Sequence, residues 1–265
     1  NGAITNADAQ DRWMLTTPVS YPADGTAMST LRKSAANIRL GEYIADATAE
    51  SIARYGLDTP RLVIRLHQAA GTIGAVGTTG SYAATDYPET TITLVIGEQE
   101  SELVDYVLYD GGIYRCSTLL LRGVMNADWQ ETITRYPVLT ALGNLASLSR
   151  ETADGVDTWV ITRTEQGAEN NELVTDGEEN QVYDIALTKN GEPSDYTAFS
   201  AAYNQLMMVT MSGRLPDGWT AADAPHTVWT FTDVDGTVHT VALTRYDAMH
   251  DAVAIDGVAL FYLIQ

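Results

Sequence analysis

"DYVLYDGGIY", residues 105–114, and "DAVAIDGVAL", residues 251–260, read as the same object met twice. Each is an alternating run, an Asp-Gly pair (Asp110-Gly111, Asp256-Gly257) and a second run, the pattern of a β-hairpin whose tight turn needs positive φ. The offset between them, 146 residues, also aligns "DRWMLTT" (11–17) with "DTWVITR" (157–163), bringing Trp13 onto Trp159 and Thr16 onto Thr162. Two separate matches at one offset point to an internal repeat, so the fold is read copy by copy.

Between these anchors each copy carries one helix. Met28, Leu31, Ala35 and Ile38 form an apolar stripe, with Asp24 as the expected N-cap; Tyr196, Phe199, Tyr203 and Leu206 repeat the spacing after Pro193, with Ser194 or Asp195 starting the helix. Strands follow. Leu62, Ile64 and Leu66 alternate with polar neighbours and with Val63, and Ile92, Leu94 and Ile96 do the same; "HTVWTFTDVDGTVHTVAL" turns at Asp235-Gly236. The fold class expected is α+β: two weakly similar repeats, each an opening β-hairpin bearing the tryptophan, one main helix and about four antiparallel strands. The repeats are expected at 1–140, with a glycine-rich insertion at 71–89, and at 141–265, with an acidic loop at 165–181; both excursions are expected to be mobile. Residues 125–147 are expected to connect the copies.

With 265 residues and 45% hydrophobic content the chain can bury a core without staples. One cysteine, Cys116, excludes an internal disulfide and any multi-cysteine metal site. Fifteen basic against 35 acidic residues give a net charge of -20, which repels nucleic-acid phosphate and anionic headgroups. No apolar run approaches the ~18 residues of a membrane helix. The first residues, "NGAITNADAQDRW", read as the tail of a strand, so an upstream targeting or anchoring segment is expected to have been removed.

The chemical motifs are mostly weak. The glycines at 71, 74, 77 and 80 lack the lysine and the helix start that a phosphate cradle needs. "DVDG" (233–236) lacks the glycine and glutamate of a calcium loop, with Val238 and Thr244 in those places. Asp247, His250 and Asp251 cluster locally but do not by themselves make a zinc site. Four histidines (His67, His226, His239, His250) lack a Gly-x-Ser-x-Gly elbow to serve, and Cys116 in "IYRCSTLLL" reads as a buried, inert strand thiol. No particular carboxylate pair is nominated for glycoside hydrolysis. No catalytic residue, cofactor or metal is therefore assigned. Fourteen tyrosines and five tryptophans against three phenylalanines suggest half-exposed aromatic surfaces. Trp13 and Trp159 recur and are assigned to packing; Trp129, Trp219 and Trp229 have no counterpart and are the partner-binding candidates.

"W-x-L-T-x-P" (Trp13 to Pro18), "PADGTAMSTLRKSAANI" and "ARYGLDTPRLVIRL" (53–66), in that order, resemble the bacterial family called domain of unknown function 4340, most clearly over residues 10 to 120. The second copy keeps the architecture without Gly-Leu-Asp-x-Pro. The resemblance implies an extracytoplasmic domain held by an N-terminal membrane anchor, at the cell surface or in the periplasm, in a family often encoded beside gliding-type ABC transporters. It carries no catalytic residue. It implies a non-enzymatic accessory or binding module whose partner is an envelope protein, such as a transporter subunit, or an envelope polymer; a glycan-binding protein or glycan hydrolase is the alternative. Read physically, the Gly-Leu-Asp-x-Pro stretch is a joint. Gly56 takes the left-handed position after a helix, Leu57 supplies the apolar contact, Asp58 forms the turn and Pro60 bars return to helix.

Overall fold

The computed structural model describes residues 13–76, 82–165 and 183–264. The chain divides into two compact units: Thr26–Glu131, and Asn1–Gly25 together with Thr132–Gln265. In chain order the elements are β1 (Met14–Leu15), β2 (Tyr21–Pro22), α1 (Gly25–Ala36), β3 (Leu40–Asp46), α2 (Ala49–Arg54), β4 (Leu62–Gln68), β5 (Gly71–Val76), β6 (Tyr82–Tyr87), β7 (Thr90–Ser101), β8 (Val104–Tyr109), β9 (Gly112–Ser117) and α3 (Thr118–Met125). They continue as β10 (Leu145–Thr152), β11 (Gly155–Glu165), β12 (Tyr183–Lys189), β13 (Glu192–Ser194), α4 (Tyr196–Met207), β14 (Gly213–Arg214), β15 (Thr227–Asp233), β16 (Val238–Arg245), β17 (His250–Ile255) and β18 (Val258–Ile264). The fold is α+β with strand predominating.

The contiguous unit is an antiparallel sheet in the order β3-β9-β8-β7-β4. Alternation sends Ile64, Leu94, Ile96, Val107 and Cys116 to one face, where Leu121 completes a buried cluster flanked by Ile38, Val124 and Met125. Leu121, Val124 and Met125 belong to α3, a helix that sequence reading left inside strand and connector. The run Leu119-Leu120-Leu121 has no period of its own, and only its packing on the sheet selects the helix. Asp110 (φ 46°) and Gly111 (φ 75°) make the β8–β9 turn with positive φ at both positions, as the hairpin motif requires. After α2, the N–H of Leu57 donates to the Ile52 carbonyl at 2.9 Å and that of Gly56 to Ala53 at 3.3 Å, with Gly56 at φ 63°: a Schellman closure. Leu57 is buried, so the Gly-Leu-Asp-x-Pro stretch is a structural joint. The glycine-rich insertion is a hairpin, β5 on β6 from Gly71↔Tyr87 to Val76↔Tyr82, where a loop was expected; residues 77–81 lie outside the described residues.

The discontinuous unit has a nine-stranded antiparallel sheet, β13-β12-β11-β10-β15-β16-β17-β18-β14. Its run β14-β18-β17-β16-β15 follows the same connection order as β3-β9-β8-β7-β4, and α4 precedes β14 as α1 precedes β3. The starts of β4 and β15 also match. Pro60-Arg61 precedes β4 and Pro225-His226 precedes β15; the N–H of Arg61 donates to Ile96 and that of His226 to Leu243, both at 2.9 Å. The outer edges differ. β15 pairs onward with β10, from Leu145↔Asp233 to Thr152↔Thr227, whereas β4 ends its sheet. Of the acidic loop, 166–182 lies outside the described residues.

This division differs from a contiguous cut near residue 140: the residues from Trp13 to Gly25 group with the second half. The N–H of Asp24 donates to the Thr132 carbonyl at 2.8 Å, that of Thr134 to Pro22 at 3.0 Å, and Ala23 bridges Ile133. Tyr21, with no exposed surface, packs 6.2 Å from the buried Phe261 ring and donates to the Met211 sulfur at 4.0 Å. These long-range pairings are invisible to a local reading of the sequence.

Candidate functional site

The site is built in the discontinuous unit, where α4 lies over β10, β11 and β15. Asp195 starts the helix: its Oδ1 accepts from the N–H groups of Thr197 (2.8 Å) and Ala198 (3.3 Å). The helical period then turns Phe199, Tyr203 and Leu206 to one side. Cross-strand register aligns Trp159 with Leu148 and Leu148 with Phe231, while Arg150 stands between Asp157 and Trp229. Between helix and strands is a cavity of about 510 Å³ lined by Leu148, Trp159, Phe199, Tyr203, Leu206 and Trp229, with Ser194, Asp195 and Gln205 as its polar members.

Its walls are aromatic. Trp159 lies 6.1 Å from Phe199, Phe199 stacks on Tyr203 at 5.8 Å, and Tyr203 meets Phe231 edge-on at 6.3 Å. The Tyr203 hydroxyl donates to the Thr140 carbonyl at 2.8 Å and Asp195 is engaged in capping, so both groups are already satisfied. Outside the apolar wall, Lys189 lies over Trp159 (5.1 Å) and Arg150 over Trp229 (5.6 Å). Both cations bind Asp157, each at 3.1 Å, and Asn190 Nδ2 donates to it at 3.1 Å. The Asn190 bond first, and then Lys189, hold the Asp157 carboxyl below the usual carboxylate range. The chemistry on offer is burial of an uncharged apolar or aromatic group within a rim whose charges are mutually paired.

Of the three nominated tryptophans, Trp229 lines this cavity. Trp219 packs elsewhere in the same unit, edge-on to Tyr246 at 6.0 Å, in a cluster where Tyr246 stacks on Tyr262 (5.5 Å) and His250 meets Tyr262 (4.7 Å). Trp129 sits in a 3₁₀ turn, Trp129–Glu131, and is half-buried. Trp159 both packs on α4 and lines the cavity. Trp13 is 43% exposed.

The remaining candidates are held in local contacts. Cys116 is buried, its sulfur 3.4 Å from the Arg39 carbonyl; burial, and then Asp105, push its thiol pKa up, away from nucleophilic use. Asp247 holds His250 Nδ1 at 2.8 Å, whereas Asp251 faces His226 (3.2 Å) and Arg245 (3.6 Å); among the described residues no three His, Cys, Asp or Glu side chains could hold a metal. The His226–Asp251 pair stands where the contiguous unit has Arg61 and the fully buried Asp105, in each case a basic side chain just before β4 or β15 meeting a buried aspartate. In the described residues no helix is long and apolar enough to cross a membrane.

Comparison with curated proteins and with solved structures gives no match. The sequence profile of DUF4340, a domain of unknown function, matches residues 13–227, well past the stretch where the resemblance is clearest by eye and through α4 and β14. With more than three quarters of its length matched, the chain belongs to the DUF4340 family.

Proposed function

We propose that this chain is a non-enzymatic, extracytoplasmic binding module of a bacterial envelope protein, accessory to an ABC-type transport system, and that it seats an apolar or aromatic group of its partner beneath α4. The observation carrying the binding reading is the cavity of about 510 Å³ whose wall is aromatic and whose wall-borne hydroxyl and capping carboxylate are already hydrogen-bonded. The family resemblance supports the envelope and transporter setting, with membrane attachment through an N-terminal anchor. The common strand order, the shared proline-and-basic-residue joint and the matched buried aspartates support reading the two units as repeats, the second of which elaborated a site.

Titration with the neutral dye N-phenyl-1-naphthylamine, followed by energy transfer from tryptophan, tests the site. Dye uptake that disappears in Ala202→Trp, which fills the cavity from α4, is the expected result; uptake unchanged by Ala202→Trp sinks it. Cross-linking in the native envelope tests the setting, where recovery of transporter subunits is expected and their absence from an intact complex counts against the accessory role. The Trp219, Tyr246, Tyr262 and His250 cluster favours a second reading, glycan binding, through stacking of sugars on aromatic rings.

A further inference from the structure

The outer edges of β4 and β15 differ in one respect that chemistry can exploit. Both strands hold the same place in a five-strand run of the same order, both begin after a proline and a basic residue, and both lie beside an apolar space under a helix. At β15 the edge is taken by antiparallel β10, which sets Leu148 opposite Phe231 on the helix-facing side and Ser149 opposite Thr230 on the other. Counting from the first residue of each strand, Leu66 stands for Phe231 and Arg65 for Thr230. At β4 no strand takes that edge among the described residues. Next to it, a cavity of about 230 Å³ lies between Ala35 and Ala36 of α1 and Leu66, Ile92 and Leu94 of the sheet; the corresponding cavity of the discontinuous unit has Leu148 and Trp159 from its added strands in the wall.

An open edge exposes a row of backbone N–H and C=O groups and is a template for another strand. Its side chains say which strand. Leu62, Ile64 and Leu66 point into the core, while Val63 (42% exposed), Arg65 and His67 stand on the opposite face. Arg61 is engaged by Asp105, and His67 lies 3.7 Å from Glu89 and 3.1 Å from the Thr91 hydroxyl; Arg65 has no ion-pair partner among the described residues. The net charge of -20 opposes acidic partners at long range, but at contact the unpaired Arg65 beside the open edge selects a residue of opposite sign on the added strand.

We infer that β4 is a docking edge for an extended segment of a partner protein, added antiparallel as β10 is added to β15, with apolar residues toward α1 alternating with acidic residues toward Arg65. This is independent of the cavity under α4, since it uses another unit and another mode of recognition. The test uses the whole chain and three capped peptides: alternating leucine and glutamate, alternating leucine and lysine, and the leucine-glutamate peptide N-methylated along one backbone edge. The first is expected to bind and to protect β4 amides, but not β15 amides, from hydrogen exchange. The second binds several-fold more weakly, the third does not bind, and Arg65→Glu reverses the preference between the first two. Equal binding of both charge types, binding insensitive to N-methylation, protection away from β4, no binding at millimolar peptide, or self-association of the chain in place of peptide binding would each overturn the inference.

Discussion

Arg61 and Asp105 show how much a single pair can matter. Asp105 has no exposed surface, and its Oδ2 lacks a hydrogen-bond partner among the described residues, so it relies on the guanidinium of Arg61. Arg61→Ala is expected to cost about 3–5 kcal/mol, since it strands a buried carboxylate, and adding Asp105→Leu should recover much of that loss. Urea unfolding of the two variants checks both statements. Gly56 is a different kind of position. Its φ of 63° is unfavourable for any side chain, so Gly56→Ala is expected to cost about 1–2 kcal/mol. Gly143→Ala, with open space around the added carbon and no positive φ, is expected to stay within about 0.5 kcal/mol. The glycine joint was legible in sequence because its chemistry is local. The partner of Arg61 was not, because 44 residues separate it from Asp105 and nothing local couples them.

At the scale of elements, α4 and its strands set the site. Asp195→Ala removes the helix cap and is expected to cost about 1 kcal/mol and to weaken dye uptake with it. Asp157 ties β11 to Lys189 and Arg150 with a carboxyl held below its ordinary value. The stability it lends is present above the ordinary carboxylate pKa of about 4 and is lost as pH falls through the lowered folded value. Urea midpoints measured from pH 5 down to pH 2 should therefore fall, and Asp157→Asn should fall less over the same range. The hairpins at Asp110-Gly111 and Asp256-Gly257 and the apolar faces of α1 and α4 could be read from period and turn chemistry. Helix α3 and the β5–β6 hairpin could not: Leu119-Leu120-Leu121 fits helix or strand equally, and glycine spacing imitates a loop. The cavity required tertiary structure, since Leu148, Trp159, Phe199 and Trp229 come from four separate elements.

On the scale of the whole molecule, the contiguous unit Thr26–Glu131 has its own sheet and buried cluster and is expected to unfold cooperatively when expressed alone. The other unit needs both of its segments. Tyr21→Ala is expected to cost about 3–5 kcal/mol there, through the lost contact with Phe261, and to leave hydrogen exchange in β7 and β8 unchanged. The hydrogen bond between Asp24 and Thr132 has a temporal consequence. A polypeptide is made from its amino end at about 5–20 residues per second, so Tyr21 leaves the ribosome tens of seconds before Phe261 exists to cover it. If the intervening segment folds on its own, as expected, it can close during that interval and shorten the path over which the two distant ends must find each other. The discontinuous unit is then expected to mature last, and any chaperone acting on the nascent chain to meet a β1–β2 segment that still lacks its partners.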